Sequence, residues 1–296
     1  MLEFIVNPMA RRGKGIAEVE KAVRYFDSLG VEYRLNYTHY VKHATEIAYE
    51  LTLNGADTVV SCGGDGTIHE IINGIIAAKL KLEENGEPYV TKLALLPCGT
   101  GNDFMRSANM SIDTIQAADT ILNGRAAPAD AIEINGIYEI CFACRGIDVD
   151  VVNMVNASKR KTQLSYLKKI LLCLFKGLNY DFDIIIDGRH FKEKAVVAAV
   201  LNGSKLATGM NFCPPAKIDD GLLDVIIVRY RPRLKLLAHF PRLKGNNFID
   251  GETVLHYRAK TASFTTDQKL IDIDGELFEN KKFDAEIAPN VLNLIR

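Results

Sequence analysis

Tryptophan is absent from this 296-residue chain, and neither sign of charge is in excess: 36 Lys and Arg stand against 37 Asp and Glu, for a formal net charge of -1. That balance removes the basic footprint on which nucleic-acid binding depends, so no nucleic-acid partner is expected. Long apolar runs are missing too. Stretches such as 195–201 and 170–175 fall far short of the roughly 18 residues a membrane-spanning helix needs. No basic, apolar, small-residue leader is expected, because Met1-Leu2-Glu3-Phe4 enters strand-like sequence at once. The six cysteines show no spacing that pairs them into a disulfide framework. Cys62, Cys98 and Cys173 sit in apolar runs, where a thiol serves as a small hydrophobe, and the expectation is a reducing cytoplasm. Cys141-Phe142-Ala143-Cys144 has redox or zinc spacing, but no second Cys or His pair stands beside it, which favours a buried strand.

Glycine, by contrast, is concentrated at strand exits. The run Asp57 to Val60 leads into Ser61-Cys62-Gly63-Gly64-Asp65-Gly66-Thr67, and Ile68-His69-Glu70-Ile71 then continues as a helix. Glycines let a backbone come close to a ligand, and the unpaired amides at a helix start attract phosphate, while Asp65 can organise a metal or hold the turn. Leu93-Ala94-Leu95-Leu96-Pro97 leads in the same way into Cys98-Gly99-Thr100-Gly101-Asn102-Asp103-Phe104. A third such exit follows Phe4-Ile5-Val6 with Asn7-Pro8-Met9-Ala10-Arg11-Arg12-Gly13-Lys14-Gly15. Each loop alone is also what an ordinary tight strand–helix turn looks like, and the Arg11-Arg12-Gly13-Lys14 run reads equally well as a solvated turn. Three in one α/β half point to one shared site, since ligands of open parallel sheets lie beyond the carboxyl ends of the strands. The Gly-Lys-Ser/Thr ending of a P-loop is lacking.

Strand and helix patterns alternate through residues 1–125. Strands are expected over 2–6, 31–37, 57–62 and 92–96, and helices over 15–29, 43–53, 67–78 and 112–123, with 81–88 a charged surface insertion. That order argues for a parallel sheet with right-handed crossovers. From residue 126 to 296 the texture becomes β-rich, with strands expected over 131–134, 137–143, 182–187, 194–201, 222–229, 260–265 and 269–273, and a mostly antiparallel second domain is the simplest account. Helical periods over 165–178 and 233–243 are the exceptions. The first sets Lys168, Lys169 and Lys176 beside an apolar stripe, a pattern shared by helices lying on membranes and by helices packed on a sheet with their lysines in water.

Two acidic clusters mark this half. Lys217-Ile218-Asp219-Asp220-Gly221-Leu222 sets paired carboxylates on a glycine turn suited to a hard cation such as magnesium, or simply to a hairpin. Asp272-Ile273-Asp274-Gly275-Glu276 gathers carboxylates at a strand end, where one can act as a base and another orient a metal, although turn chemistry accounts for it equally well.

Taken together, these motifs resemble the diacylglycerol kinase catalytic fold, shared by bacterial soluble lipid kinases, sphingosine kinases and ceramide kinases. The resemblance covers nearly the whole chain. It implies a Rossmann-like N-terminal domain and a C-terminal antiparallel β-sandwich, with the active site and its ATP in an interdomain cleft. It assigns nucleotide binding to Asn7, Pro8, Met9, Ala10, Arg11, Thr38, Gly63, Gly64, Asp65, Gly66, Thr67, Ile68, His69 and Thr100, with Asp65 also organising catalytic Mg2+. Lys217, Asp220 and Leu222 match a structural Mg2+ site, the lysine and leucine through backbone carbonyls. Glu276 matches the proton acceptor and Asp274 an essential acid, while Asp130 aligns with a further family acid. Two departures stand out: His69 replaces a common asparagine, and Met9-Ala10-Arg11-Arg12 lacks the family's small Ser-Gly pair.

The expected reaction is transfer of the γ-phosphate of ATP to a lipid hydroxyl, with diacylglycerol as the default acceptor, at a membrane surface that the protein visits transiently. A kinase of a soluble acceptor such as NAD, and a non-catalytic nucleotide or lipid sensor, are the alternatives; the intact acids Asp65, Asp220, Asp274 and Glu276 argue against the sensor. Edge strands in the β half leave a homodimer open.

Overall fold

The computed structural model describes residues 1–157, 163–279 and 282–296. Short apolar runs form four parallel strands, β1 (Leu2–Val6), β2 (Tyr33–Tyr37), β3 (Thr58–Gly63) and β4 (Lys92–Pro97). They pair in the order β2-β1-β3-β4, with Val6 opposite both Tyr37 and Cys62, and Gly63 opposite Pro97. Helices α1 (Ile16–Ser28), α2 (His43–Leu53) and α3 (Asp65–Asn85) connect them, and α4 (Asp103–Ser107) and α5 (Thr114–Asn123) follow β4. Helix-covered parallel strands are buried on both faces, which is why β3 and β4 read as continuous apolar runs rather than as an alternation.

The long helix α3 buries Ile68, Ile71, Ile72, Ile75, Ile76 and Leu82 along one face, the 3.6-residue period of an amphipathic helix. Gly74 interrupts that face because α2 passes against it: a Cβ there would lie 2.3 Å from the Thr45 carbonyl oxygen and 2.9 Å from the Ala48 Cβ. Glu70 secures the crossing by accepting the amides of Lys42 (2.9 Å) and Ala44 (3.2 Å) at the start of α2, where a negative charge suits the helix dipole. Part of the stretch expected as a surface insertion is helical. Buried Leu82 continues the apolar stripe, and α3 ends only at Asn85, where Gly86 takes φ 73.

The remaining elements are β5 (Ala126–Ile134), β6 (Ile137–Glu139), β7 (Phe142–Gly146), α6 (Ile147–Asn156), α7 (Gln163–Lys176), β8 (Tyr180–Ile186) and β9 (Arg189–Leu201). They continue with β10 (Lys205–Leu206), β11 (Met210–Asn211), β12 (Leu223–Arg229), α8 (Arg233–His239), β13 (Val254–Ala259), β14 (Thr261–Thr265), β15 (Leu270–Ile273), β16 (Glu276–Glu279) and β17 (Phe283–Ile295). Helix α6 and strands β13 and β17 were not anticipated from the periodicity.

Two compact units result, one of Met1–Ala131 with Pro289–Arg296 and the other of Ile132–Ala288. Where the sequence suggests one boundary near residue 125, the chain passes between the units twice, within β5 and within β17. The last residues join the first unit because Leu294 pairs in parallel with Leu93 of β4. Asp130, fully buried, accepts the Asn290 amide at 2.8 Å in the same unit.

The second unit is antiparallel and organised on β9, which pairs with β8 along residues 189–195, with β7 along 197–201, and with β12 on its other edge. Alternate residues of these strands and of β14, β15 and β17, among them Ile184, Ala198, Val200, Val225, Phe264, Ile271 and Phe283, make one apolar core, the filling of a β-sandwich. Helices α6, α7 and α8 close over a smaller cluster of Ile147, Val151, Cys173, Leu174, Val196 and Leu236.

Candidate functional site

In the first unit the strand register brings the expected loops to one edge. Asn7 follows β1, Thr38 follows β2 with its amide on the Val6 carbonyl (2.9 Å), Gly63 ends β3, and Cys98-Gly99-Thr100 follows β4. The glycines there do different jobs. A Cβ on Gly63 would lie 2.2 Å from Thr67 Oγ1, and one on Gly99 would lie 2.4 Å from the Gly64 Cα and 2.7 Å from Asn102 Oδ1, so both are required by the protein's own packing. At Gly66, exposed in the first turn of α3, a Cβ would meet nothing within 4 Å.

Side chains tie the loops together. Asn7 Nδ2 donates to Thr67 Oγ1 (3.0 Å) while Asn7 Oδ1 accepts the Met9 amide (2.9 Å). Asp65 Oδ1 accepts the Phe104 amide (3.2 Å), joining the loops after β3 and β4. Asn102, at φ 50, folds back on Gly99, accepting its amide (3.0 Å) and donating to its carbonyl (3.2 Å). Arg106 Nε donates to the Gly101 carbonyl (3.0 Å). Asp103 is a further acid here that the sequence reading left unassigned: a Cβ on Gly101 would lie 3.0 Å from Asp103 Oδ2 and 3.1 Å from Asp65 Oδ2, so both carboxylates border that glycine.

The expected nucleotide residues therefore divide. Gly64, Asp65, Gly66 and Thr100 present open or partly open backbone. Thr67 and Ile68 are buried, and both amides already donate to the Gly64 carbonyl, at 2.9 and 3.1 Å. Ile68 turns its side chain into the core while standing in the first turn of α3 beside the exposed Gly66. His69 is half-buried, and its carbonyl accepts Asn73 Nδ2 (2.8 Å). The loop Asn7 to Arg11 runs into a tight turn in which Arg11 (φ 50) and Arg12 (φ 58) are both left-handed, a conformation that costs a non-glycine residue about 1–2 kcal/mol. Arg11 also pairs with Glu18 at 3.3 Å. A cavity lined by Leu2, Thr58 and Lys92 lies at the opposite, amino-terminal ends of the same strands, away from where ligands of parallel sheets bind.

In the second unit, Asp274 (φ 51) and Gly275 (φ 84) form the two-residue turn between β15 and β16, with Ile273 opposite Glu276. Two consecutive positive φ values make this the Asp-Gly hairpin that turn chemistry favours. Glu276 stands exposed as the first residue of β16. Beneath it, buried Asp272 accepts the Gly275 amide (2.8 Å) and so fixes the turn. Glu139, also fully buried, accepts the amides of Ile140 and Cys141, each at 2.7 Å.

Burial, and then the charge of neighbouring Asp148, push the Asp272 carboxyl well above its ordinary 3.8. An acid raised in the folded state adds stability that is fully present below the unfolded pKa and is lost as pH rises through the folded one. Asp272→Asn keeps an acceptor for Gly275 and removes the titration. Urea unfolding at a series of pH values will then show wild type losing stability relative to the variant from acidic toward alkaline pH, and parallel curves would refute this.

Of the expected structural magnesium residues, Lys217 is exposed, Leu222 is half-buried, and Asp220 makes an ion pair with Arg258. A guanidinium thus already balances the one carboxylate of that donor set. Arg258 is 38 residues away in sequence, and nothing local announces the contact.

Residues 1–134 match the family described as "Diacylglycerol kinase catalytic domain", and residues 142–296 match that described as "YegS C-terminal NAD kinase beta sandwich-like domain". A diacylglycerol kinase of Bacillus subtilis (strain 168) is 28% identical over 283 residues, covering 92% of this chain and 88% of the relative. A crystal structure titled as a diacylglycerol kinase from Bacillus anthracis str. Sterne superposes with a TM-score of 0.80 at 24% identity, over 99% of this chain and 96% of that one, a likeness of fold.

Proposed function

The chain belongs to the diacylglycerol kinase catalytic-domain family, and from that premise we propose that it is an ATP-dependent lipid kinase whose acceptor is the hydroxyl of diacylglycerol, giving phosphatidic acid. The observation that carries this reading is the open space at Gly66 in the first turn of α3, just after a turn that Gly63, Gly99 and Asp65 pin in place. A glycine that the protein's own packing does not require, at the start of a helix, suits a phosphate that must approach the main chain. The paired carboxylates of Asp65 and Asp103 beside Gly101 are oxygen donors of the kind magnesium takes.

In this reading ATP supplies the phosphoryl group, and magnesium neutralises charge on its oxygens. The first unit binds and orients the phosphates through Asn7 to Arg11, Thr38, the Gly63 to Gly66 backbone and Thr100, and positioning of this kind carries most of phosphoryl-transfer catalysis. Glu276 accepts the proton of the lipid hydroxyl as the new O–P bond forms and the bond to the β-phosphate oxygen breaks, releasing ADP.

A lipid acceptor also gains support from an apolar surface in the second unit. Phe175 of α7 and Leu234 of α8 are 64% and 82% exposed, and Arg233 beside Leu234 donates to the Lys176 carbonyl at 3.3 Å. Basic and apolar groups side by side suit contact with an anionic bilayer. No described helix is long and apolar enough to cross one.

The deciding assay is transfer of labelled phosphate from ATP, with magnesium, to diacylglycerol, sphingosine, ceramide and phosphatidylglycerol in mixed micelles, with NAD as the soluble control. Labelled phosphatidic acid is the expected product. Labelled NADP would overturn the lipid reading in favour of the soluble acceptor that the second family description brings to mind, and no product despite ATP binding would favour a sensor.

For the expected second magnesium position, Arg258 sets the outcome. Because it already neutralises Asp220, chelating magnesium leaves the thermal midpoint of the wild-type chain nearly unchanged. Arg258→Gln exposes the need for a cation, and its midpoint rises by roughly 2–4 °C when magnesium is restored. Equal magnesium dependence in both proteins, read by calorimetry, would show that Arg258 does not stand in for the ion.

A further inference from the structure

Outside the groups assigned above, one cluster combines three kinds of ligand atom. Cys213 lies in the loop between β11 and β12, Asp224 on β12 and His256 on β13, and their ligand atoms all lie within 4.8 Å of one another. The strand register explains the meeting. Asp224 faces Arg258, and Ile226 faces His256, so Asp224 and His256 are diagonal neighbours on one face of an antiparallel pair, within reach of a long side chain. Cys213 is brought onto the same face by its loop, whose Phe212 amide donates to the Ser204 carbonyl at 3.0 Å and whose Ala216 amide donates to the Cys213 carbonyl at 3.0 Å.

Two observations set this group apart from an ordinary buried hydrogen bond. His256 Nε2 meets Asp224 Oδ1 at 2.6 Å, the residue is 0% exposed, and no hydrogen bond of ordinary geometry reaches its other oxygen, Oδ2, the Cys213 thiol being the group that lies against the same carboxylate. A buried carboxylate oxygen without a strong donor is costly. Cys213 is fully buried as well, whereas His256 keeps 17% of its side chain exposed, which provides an entry path. Arg258, on the same face, is engaged with Asp220.

We propose that Cys213, Asp224 and His256 form a binding site for zinc or a similar transition-metal dication. Thiolate, imidazole and carboxylate are the donors zinc takes in tetrahedral sites, with water completing the shell, whereas magnesium and calcium prefer oxygens alone. On binding, the Cys213 S–H bond breaks, a metal–sulfur bond forms and the proton passes to solvent. His256 exchanges its hydrogen bond to Asp224 for a metal–nitrogen bond through Nε2, with its proton on Nδ1, and the Asp224 carboxylate becomes a ligand. The ion ties the loop before β12 to β12 and β13, and the site is independent of the phosphotransfer reading. The other two mixed clusters among the described residues, Cys144 with Asp148 and Asp272, and Glu139 with Cys141 and Asp274, lack an imidazole, and each takes one acid from the hairpin that carries Glu276.

The test is titration of metal-free, reduced full-length protein with Co2+ and then Zn2+, in excess magnesium. Expected is a thiolate-to-cobalt charge-transfer band that saturates at one ion per chain and disappears as zinc displaces cobalt, together with a zinc-dependent rise in thermal midpoint. Cys213→Ala abolishes the band and weakens zinc binding by at least about a hundredfold, since even ligand-supporting residues cost 10–100-fold. His256→Gln, at the exposed rim, weakens zinc binding comparably and serves if Cys213→Ala does not fold. Cys144→Ala leaves the band in place. Absence of a stoichiometric band, its survival in Cys213→Ala, its loss in Cys144→Ala, or unchanged zinc affinity in His256→Gln would each overturn the proposal.

Discussion

Glu276→Ala lowers phosphate transfer to diacylglycerol by about 10²- to 10⁴-fold, the range that a positioned general base contributes, and leaves ATP affinity essentially unchanged. The expectation rests on how the hairpin divides its work. Asp274 is committed to the turn: its φ is 51, its amide donates to the Phe142 carbonyl at 3.2 Å, and its carboxylate lies among Glu139 and Cys141. Glu276 is exposed and opens a strand, with Asp272 bracing the turn just before it through Gly275. Of the two acids, Glu276 is the one left accessible to an acceptor hydroxyl. Asp274→Asn separates the roles cleanly, because Asn-Gly suits such a turn as well as Asp-Gly. Single-turnover rates and ATP dissociation constants on both variants decide the matter. Greater loss of chemistry in Asp274→Asn than in Glu276→Ala would move the base to Asp274, and a fully active Glu276→Ala would remove the assignment.

Which parts of this molecule were legible in its sequence follows from how local their causes are. The strand exits at Asn7, Gly63 and Cys98 and the Asp-Gly turn at Asp274 are written in consecutive residues, because positive φ and close backbone approach demand glycine at fixed offsets. The alternation of strand and helix through residue 125 was readable for the same reason. Contacts across long separations left no such mark. Glu70 capping α2, Gly74 admitting it, Arg258 on Asp220 and His256 on Asp224 each join residues whose sequence neighbours say nothing of the partner. The return of the chain end to β4 was hidden too: β17 carries Pro289 and a left-handed Asn290, so its alternation breaks where it changes units. Helix α6 was missed because Ile147-Asp148-Val149-Asp150-Val151-Val152 alternates with strand-like period and is rich in valine. It is helical because Ile147 and Val151, one turn apart, share a buried cluster with Val196 and Leu236.

Gly66→Ala weakens ATP binding on the order of tenfold to a hundredfold, the equivalent of one lost hydrogen bond to a charged group, and does so without loss of fold. The contrast with its neighbours makes this a sharp expectation. At Gly63 and Gly99 an added methyl collides with Thr67 or with the Gly64 backbone, so those variants lose stability first and any loss of binding is uninterpretable. At Gly66 the methyl enters empty space in the first turn of a 21-residue helix. Alanine is a better helix former than glycine by up to about 1 kcal/mol, so the thermal midpoint of the variant equals or exceeds that of wild type. What the methyl does occupy is open space at the exposed first turn of α3, where the proposed phosphate approaches the backbone. Calorimetric titration with ATP beside a thermal scan measures both quantities on one preparation. A stable Gly66→Ala that binds ATP as tightly as wild type would mean that no phosphate passes over this turn, and the nucleotide would have to be sought elsewhere on the sheet edge; a variant that loses both stability and binding would mean that Gly66 is needed by the fold after all.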